Sequence, residues 1–239
     1  NKIKLIHMVA PTVWAWRPGR ARQISKFLDH LFTLFPFEPP YFVKHGLPTT
    51  FIGHPLAEQL EGNDKKYRDA FGMDKDAKII SVLPGSRPGE IKRLLPTFKK
   101  TLDLLVRKYP GIHITIPTVD SVEHLLRAET EEWEIPVSII TDPNMRLNAF
   151  AASCVALAAS GTVTLELALA KVPSVVAYKV NPLSAVFGYF LVNKNAVVLP
   201  NQLMGEKIFP LYLQWECTPA NLFKAISLKI DSPTDNLAG

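Results

Sequence analysis

The sequence has little cysteine, and its histidines are scattered. Only 2 of the 239 residues are cysteines, Cys154 and Cys217, and they form no Cys-x-x-Cys pair. The 6 histidines form no HExxH sequence and no pair at helical ligand spacing. We therefore expect two free thiols in a reducing compartment, with no metal ion and no other cofactor.

Several nucleotide-binding and hydrolytic motifs are also missing. The sequence contains no GxSxG, no GxxxxGK and no GxGxxG, which disfavours hydrolases, ATPases and dinucleotide dehydrogenases. No apolar run reaches the roughly 18 residues that a transmembrane helix needs. The function classes that remain are those of α/β proteins whose ligand sites do not use these motifs.

A modest excess of positive charge is present. The 27 Lys and Arg residues outnumber the 22 Asp and Glu residues, giving a net charge of +5 and a pI near 9.1. This favours anionic partners such as nucleotides, phosphorylated substrates or an acidic membrane surface, although scattered solvated lysines are the commoner explanation. Trp14 and Trp16 beside Arg17 could stack on RNA bases, but without a dense basic stripe we expect no nucleic-acid partner.

From residue 78 onward, short apolar segments alternate regularly with helical patterns. Such alternation predicts an α/β fold with a parallel sheet covered on both faces. The predicted strands are residues 78–83, 112–116, 137–140, 155–158 and 174–178. The loop at residues 84–90 leads into a long predicted helix that ends near residue 109. The other predicted helices are residues 122–132, 145–152, 163–170, 181–192 and 219–230, with an extended segment and loop at 197–203.

The first sixty residues predict a second, smaller α/β unit. Strands are expected at 3–9 and 31–35, a basic helix from about residue 20, a short helix at 37–46, and an extended segment at 50–55. From there to about residue 78 the sequence is polar and is expected to be helical or looped, and this stretch is the best candidate for an interdomain linker.

The segment 156–166 carries the strongest functional pattern. An apolar strand stops at Ser160, Gly161 and Thr162, and helical spacing resumes at once. Small residues and free N–H groups at such a turn favour a phosphate. Glu166 lies on the same helix face as Thr162, one turn further in, and could reach a sugar hydroxyl. A capped helix with a stray carboxylate is the alternative.

A second loop, Gly85-Ser86-Arg87, also follows a predicted strand. Gly85 lets a ligand approach the backbone, and the Arg87 guanidinium can pair with a diphosphate. The alternative is a surface turn with a solvated arginine. Because both loops follow carboxyl ends of strands in one parallel sheet, they can face one crevice.

Five ordered segments resemble the lipid-A-disaccharide synthase family over nearly the whole chain. They are residues 11–17 (Pro-Thr-Val-Trp-Ala-Trp-Arg), 51–56 (Phe-Ile-Gly-His-Pro-Leu), 83–94, 159–166 and 199–201 (Leu-Pro-Asn). The resemblance implies a GT-B glycosyltransferase with two Rossmann-like domains. The implied reaction joins UDP-2,3-diacylglucosamine to 2,3-diacylglucosamine 1-phosphate, giving the β(1→6) lipid A disaccharide and UDP without a metal ion.

The resemblance also implies roles for individual residues. The diphosphate would lie between Gly85-Ser86-Arg87 and Ser160-Gly161-Thr162, with Glu166 on the ribose hydroxyls and Asn201 near the donor. Arg87 would offset the charge on the leaving UDP. The general base would come from the amino-terminal domain, most of which we expect to lie upstream of Asn1. The family's usual Ser-Asp before the central strand is Ser153-Cys154 here, a departure that we expect to affect packing.

The implied organisation is a fragment. Residues 1–60 would be the remnant of the amino-terminal acceptor domain with its linker, 61–230 the UDP-sugar-binding domain and 231–239 a tail. The family implies a peripheral protein on the cytoplasmic face of the inner membrane and a possible homodimer. We expect this chain alone to bind UDP but transfer little sugar.

Two alternatives stay open. The chain could belong to another UDP-N-acetylglucosamine-using GT-B enzyme, such as a muramyl transferase of peptidoglycan synthesis or a 2-epimerase, although the Trp-Ala-Trp segment argues against this. It could also be a non-catalytic anion-binding module, for which affinity would fall steeply with salt and show no preference for uridine.

Overall fold

A small parallel sheet forms the first part of the chain. The structure, a computed structural model, describes residues 3–14, 18–58, 61–180 and 198–232. Strands β1 (Ile6–Met8), β2 (His30–Thr33) and β3 (Thr49–Phe51) are parallel and lie in the order β1-β2-β3. Helices α1 (Gly19–Ile24) and α2 (Pro39–Val43) connect them.

A larger parallel sheet of six strands follows, in the order β6-β5-β4-β7-β8-β9. Its strands in chain order give the sequence 3-2-1-4-5-6, the doubly wound arrangement, in which the direction of winding reverses between β4 and β7. The strands are β4 (Ile79–Leu83), β5 (His113–Pro117), β6 (Val137–Ile140), β7 (Val155–Ala159), β8 (Ser174–Tyr178) and β9 (Leu211–Leu213).

Helices cover both faces of this sheet. They are α3 (Asp64–Phe71), α4 (Pro88–Lys108), α5 (Asp120–Thr130), α6 (Pro143–Ala152), α7 (Val163–Leu169), α8 (Leu199–Met204) and α9 (Pro219–Asp231). All five residues of the central strand β7 are buried, because alternate side chains face opposite layers. Val155 and Leu157 pack with α4, α5 and α9, whereas Ala156 and Ala158 pack with α6 and α7.

Local sequence signals explain where several helices begin. The side chains of Asn63, Asp142 and Thr218 each accept a hydrogen bond from a backbone N–H in the first turn of α3, α6 and α9. Such side-chain caps satisfy donors that the helix itself leaves unpaired. Helix α3 ends at Gly72, whose left-handed φ of +60° suits glycine.

The α/β fold with parallel sheets is confirmed, but one predicted segment differs and one strand was missed. Residues 197–203, predicted to be extended, contain helix α8, because Pro200 occupies its first turn, where a missing N–H costs nothing. The predicted linker contains α3, which packs against α6. Strand β9 was not predicted. The predicted helix 181–192 and the end of the predicted tail lie outside the described residues.

No helix in the described part of the chain combines the length and apolar character needed to cross a membrane.

Candidate functional site

A cavity of about 300 Å³ lies at the point where the large sheet reverses its winding. The loops that follow β4 and β7 diverge there, because the connections from these neighbouring strands run to opposite sides. The loop after β5 and the first turn of α6 complete the lining. Ligands of open α/β sheets bind in such a crevice at the carboxyl ends of the strands.

The loop after β4 forms one wall. Gly85 has a φ of +116°, and a Cβ at this position would lie 2.6 Å from Glu90 Oε2 and 2.8 Å from Glu90 Cβ. Only glycine therefore fits the turn without displacing the first turn of α4. The Arg87 guanidinium is 78% exposed, and its Nη1 lies 2.9 Å from Glu90 Oε1. Arg87 thus sits at the cavity mouth, held by a neighbouring carboxylate.

The turn after β7 forms the opposite wall. Ser160 donates its backbone N–H to the carbonyl of Ala177 at 3.2 Å, which fixes the turn to β8. Thr162 is the residue before α7, but its side chain makes no capping hydrogen bond. The Thr164 hydroxyl instead donates to the Gly161 carbonyl at 2.8 Å. This bond stabilises the first turn of α7 and leaves the Thr162 side chain at the cavity wall.

Glu166 lies deeper, on α7. Only 8% of the residue is exposed, and its Oε2 is 3.3 Å from an Nη2 of Arg146 on α6. Burial raises the pKa of the Glu166 carboxyl, and the positive charge of Arg146 opposes part of that rise. The carboxylate therefore faces the cavity from a poorly solvated position with one counterion beside it.

Eight of the fifteen residues that line the cavity were not predicted as site residues, and two of them, Thr118 and Arg146, carry polar side chains of particular interest. Thr118 follows β5 directly, and its backbone N–H donates to the carbonyl of Ile140 at 2.7 Å. The rule that ligands meet the carboxyl ends of strands could have identified Thr118. No sequence pattern could have identified Arg146. It lies within a helix, and no regular helix or strand spacing relates it to Glu166.

The structure brings seven of the eight predicted site residues to this cavity but not the eighth, Asn201. The Asn201 side chain instead bonds twice to the backbone of Phe209, donating to its carbonyl at 2.8 Å and accepting from its N–H at 2.9 Å. Asn201 is absent from the lining, although its helix α8 packs against α7. The predicted roles of all eight residues stay predictions.

A larger and more open groove of about 520 Å³ lies along the edge strand β6 and the end of α5. It is lined by residues such as Trp133 and Val137, and none of the loops at the carboxyl ends of β4, β5 or β7 reaches it. We therefore place the candidate site at the smaller cavity. Within the described ranges, no group of three or more His, Cys, Asp or Glu residues is placed to hold a metal ion.

The two parallel sheets, with a cavity at the reversal point of the larger one, define a Rossmann-like α/β protein of GT-B type. Solved structures share this fold at low identity. The UDP-GlcNAc 2-epimerase from Neisseria meningitidis bound to UDP-GlcNAc has a TM-score of 0.62 at 14% identity, over 89% of this chain and 56% of that chain. The E. coli ADP-heptose lps heptosyltransferase II has a TM-score of 0.54 at 10% identity, over 96% of this chain and 99% of that chain.

The chain belongs to the Lipid-A-disaccharide synthetase family, whose family model matches residues 1–236. A lipid-A-disaccharide synthase from Rhodospirillum centenum is 45% identical over 235 residues, covering 98% of this chain and 59% of that protein. One from Gluconobacter oxydans is 39% identical over 233 residues, covering 97% and 56%. The chain thus spans less than two thirds of the length of these relatives. The resemblance predicted from the five segments is confirmed, and the muramyl transferase and epimerase alternatives are not favoured.

Proposed function

We propose that this chain contributes the donor-nucleotide site of a glycosyltransferase of lipid A biosynthesis. The reaction joins UDP-2,3-diacylglucosamine to 2,3-diacylglucosamine 1-phosphate and yields the β(1→6) disaccharide and UDP. Family membership supports the reaction, and the cavity at the reversal point of the sheet supports the site. The observation that carries the proposal is the convergence of the two predicted loops and Glu166 on that single cavity.

The geometry suits a nucleoside diphosphate. The two loops, Gly85-Ser86-Arg87 and Ser160-Gly161-Thr162, line the space that we assign to the diphosphate, and the Arg87 guanidinium supplies the positive charge. Glu166 lies further in, where an ionised carboxylate would accept hydrogen bonds from ribose hydroxyls. In the transfer, the acceptor hydroxyl oxygen bonds to the sugar C1, the bond from C1 to the diphosphate oxygen breaks, and UDP leaves with the electron pair. The hydroxyl proton passes to a general base.

Arg87 is assigned to the leaving group. In the structure it pairs with Glu90 at 2.9 Å and its side chain is 78% exposed, so the guanidinium is free to turn toward a diphosphate at the cavity mouth. Stabilisation of charge on the departing UDP by one such donor is worth about 100-fold to 1000-fold in kcat. Replacing the corresponding arginine by alanine in a full-length family member should lower kcat by about that factor. Unchanged turnover would refute the role.

The organisation of the whole enzyme follows the family. We assign residues 1–60 to the acceptor domain and 61–230 to the donor domain, and Asn201 to the vicinity of the donor.

We place the enzyme on the cytoplasmic face of the inner membrane, where its lipid substrates reside, as a possible homodimer. Flotation with anionic lipid vesicles tests the membrane contact, and sedimentation equilibrium tests the dimer. If the protein does not float with the vesicles, the membrane assignment is wrong. If it sediments as a monomer at all concentrations, the dimer assignment is wrong.

Calorimetric titration with UDP and with ADP, at low and moderate salt, tests the donor site. We expect UDP to bind more tightly than ADP at both salt concentrations. Glu166→Ala should weaken UDP binding about tenfold or more, since it removes a charged hydrogen-bond acceptor. Glu123→Ala is the matched control, because this glutamate pairs with Arg127 on the surface of α5, away from the cavity. Equal binding of UDP and ADP that falls steeply with salt would instead support the non-catalytic anion-binding module.

A further inference from the structure

Unpaired polar atoms are concentrated at the candidate site. Among the described residues, seven buried side-chain polar atoms have no hydrogen-bond partner, and three of these belong to residues that line the cavity: Thr118 Oγ1, Arg146 Nε and Glu166 Oε2. Thr118 is 9% exposed and Glu166 is 8% exposed. Because buried polar groups are nearly always paired in folded proteins, three unpaired groups at one cavity indicate a polar ligand.

The charges of these groups restrict the part of a ligand that they can bind. Arg146 Nη2 lies 3.3 Å from Glu166 Oε2, within ion-pair distance, so the two side chains neutralise each other. A phosphate beside this pair would be repelled by the carboxylate as strongly as it is attracted by the guanidinium. The pair therefore favours an uncharged polar group, and the diphosphate is left to the loops after β4 and β7.

The same pair offers a donor and an acceptor side by side. The Arg146 side chain is 29% exposed, but its Nε is a buried N–H donor without an acceptor. Glu166 Oε2 accepts no hydrogen bond and has only the ion-pair contact with Arg146 Nη2. A vicinal diol carries the complementary set, since each hydroxyl can donate one hydrogen bond and accept another. The unpaired Thr118 hydroxyl, which belongs to another residue of the cavity lining, can both donate and accept a hydrogen bond.

We propose that Arg146 is a ligand-binding residue that recognises the ribose of a nucleoside diphosphate together with Glu166. Arg146 Nε donates to one ribose hydroxyl oxygen, and the neighbouring hydroxyl donates to the Glu166 carboxylate. This assignment rests on the proposed function, because it requires a nucleotide in the cavity. It adds a sugar-specificity element on α6, which the two phosphate loops do not supply.

The test compares UDP with 2′-deoxy-UDP by calorimetry on the 239-residue chain. The unaltered chain should prefer UDP about tenfold or more, because the deoxy sugar leaves one of the two groups unpaired. Arg146→Met removes the N–H donors but keeps an apolar stem of similar length. It should lower UDP affinity about tenfold and reduce the preference for UDP over 2′-deoxy-UDP to about twofold or less.

Two further variants keep the test decisive. Arg146→Lys retains the charge but not the Nε donor, so it should also lose most of the preference, and it covers the case in which the methionine variant fails to fold. Arg127→Met on α5 is the matched control, because this arginine pairs with Glu123 outside the cavity and should leave both affinities unchanged.

The outcomes separate this inference from the proposed function. If UDP binds selectively over ADP but Arg146→Met weakens UDP and 2′-deoxy-UDP equally, the ribose assignment is wrong and the proposed donor site stands. The ribose assignment is also wrong if the unaltered chain prefers UDP over CDP and Arg146→Met removes that preference. Such a result would place the base, not the ribose, beside Arg146. If the unaltered chain binds no uridine nucleotide, both the ribose assignment and the proposed donor site are wrong.

Discussion

Two opposing effects act on the pKa of the Glu166 carboxyl. Burial favours its neutral form and raises its pKa above the ordinary value of 4.5, while the adjacent Arg146 guanidinium favours the ionised form. The other charged groups that line the same cavity are Arg87 and Glu90, which pair with each other at the mouth. The protonation of Glu166 therefore depends chiefly on its burial and on Arg146.

This balance predicts a pH dependence of UDP binding. The ionised carboxylate accepts hydroxyl hydrogen bonds, so affinity should be full above the raised pKa and fall as the pH drops through it. The fall should begin above pH 4.5 and reach about tenfold. Calorimetry on Glu166→Gln supplies the control, because titration of UDP itself affects both proteins equally. If the ratio of the two affinities stays constant from neutral pH down to 4.5, the carboxylate does not contact the ligand.

At this scale the sequence predicted seven of the fifteen residues that line the cavity. Gly85 and Gly161 were found because each follows the end of an apolar strand, and Glu166 was found because helical spacing relates it to Thr162. Arg146 could not be found in this way. Its pairing with Glu166 depends on how α6 packs beside α7, and no local pattern encodes that packing.

Among the elements, α8 is joined to the large sheet by the hydrogen bonds of one side chain. Asn201 bonds twice to the backbone of Phe209, just before β9, and so ties α8 to the edge of the large sheet. Asn201→Ala should lower the free energy of unfolding by about 1–3 kcal/mol, because it leaves a buried carbonyl and N–H unpaired. Thermal or urea unfolding measures this, with Gln202→Ala on the same helix as the control. Equal stability of the two variants would contradict the role.

The elements that were predicted correctly share strong patterning. The alternating segments from β4 to β8 are short and apolar, and they are separated by amphipathic helices, so their periodicity is unambiguous. Strand β9 has only three residues, and its strand conformation depends on pairing with β8. Helix α3 lies in the stretch that was predicted to be a polar, helical or looped linker, and the structure fully buries only one of its side chains, that of Tyr67. Pairing with β8 specifies β9, whereas α3 is bounded by the local signals Asn63 and Gly72 and is placed by its packing against α6.

At the scale of the whole molecule, the two sheets share an apolar cluster. Leu165 belongs to α7, beside the candidate site, yet it packs into the cluster of the small sheet with residues such as Trp14 and Phe35. Leu199 and Leu203 of α8 pack against the same cluster. The helix that carries Glu166 is therefore held by apolar contacts from both parts of the chain.

Removal of the Leu165 side chain from this cluster should lower the stability of the fold. Leu165 is 6% exposed, so Leu165→Ala should lower the free energy of unfolding by about 2–5 kcal/mol through lost burial and a cavity. Leu169→Ala on the same helix is the matched control, because Leu169 is 37% exposed and should cost less than about 1 kcal/mol. Urea denaturation measures both. Similar losses for the two variants would show that Leu165 does not join the small sheet to α7.

The central claim is that a uridine nucleotide occupies the cavity between the loops after β4 and β7. Amide hydrogen exchange of the chain with and without saturating UDP tests this most directly, because it reports where binding protects the backbone. We predict protection in residues 84–90, 117–119 and 160–166, and little at the groove along β6. Protection confined to that groove or to the small sheet, with the three loop segments unchanged, would contradict the account.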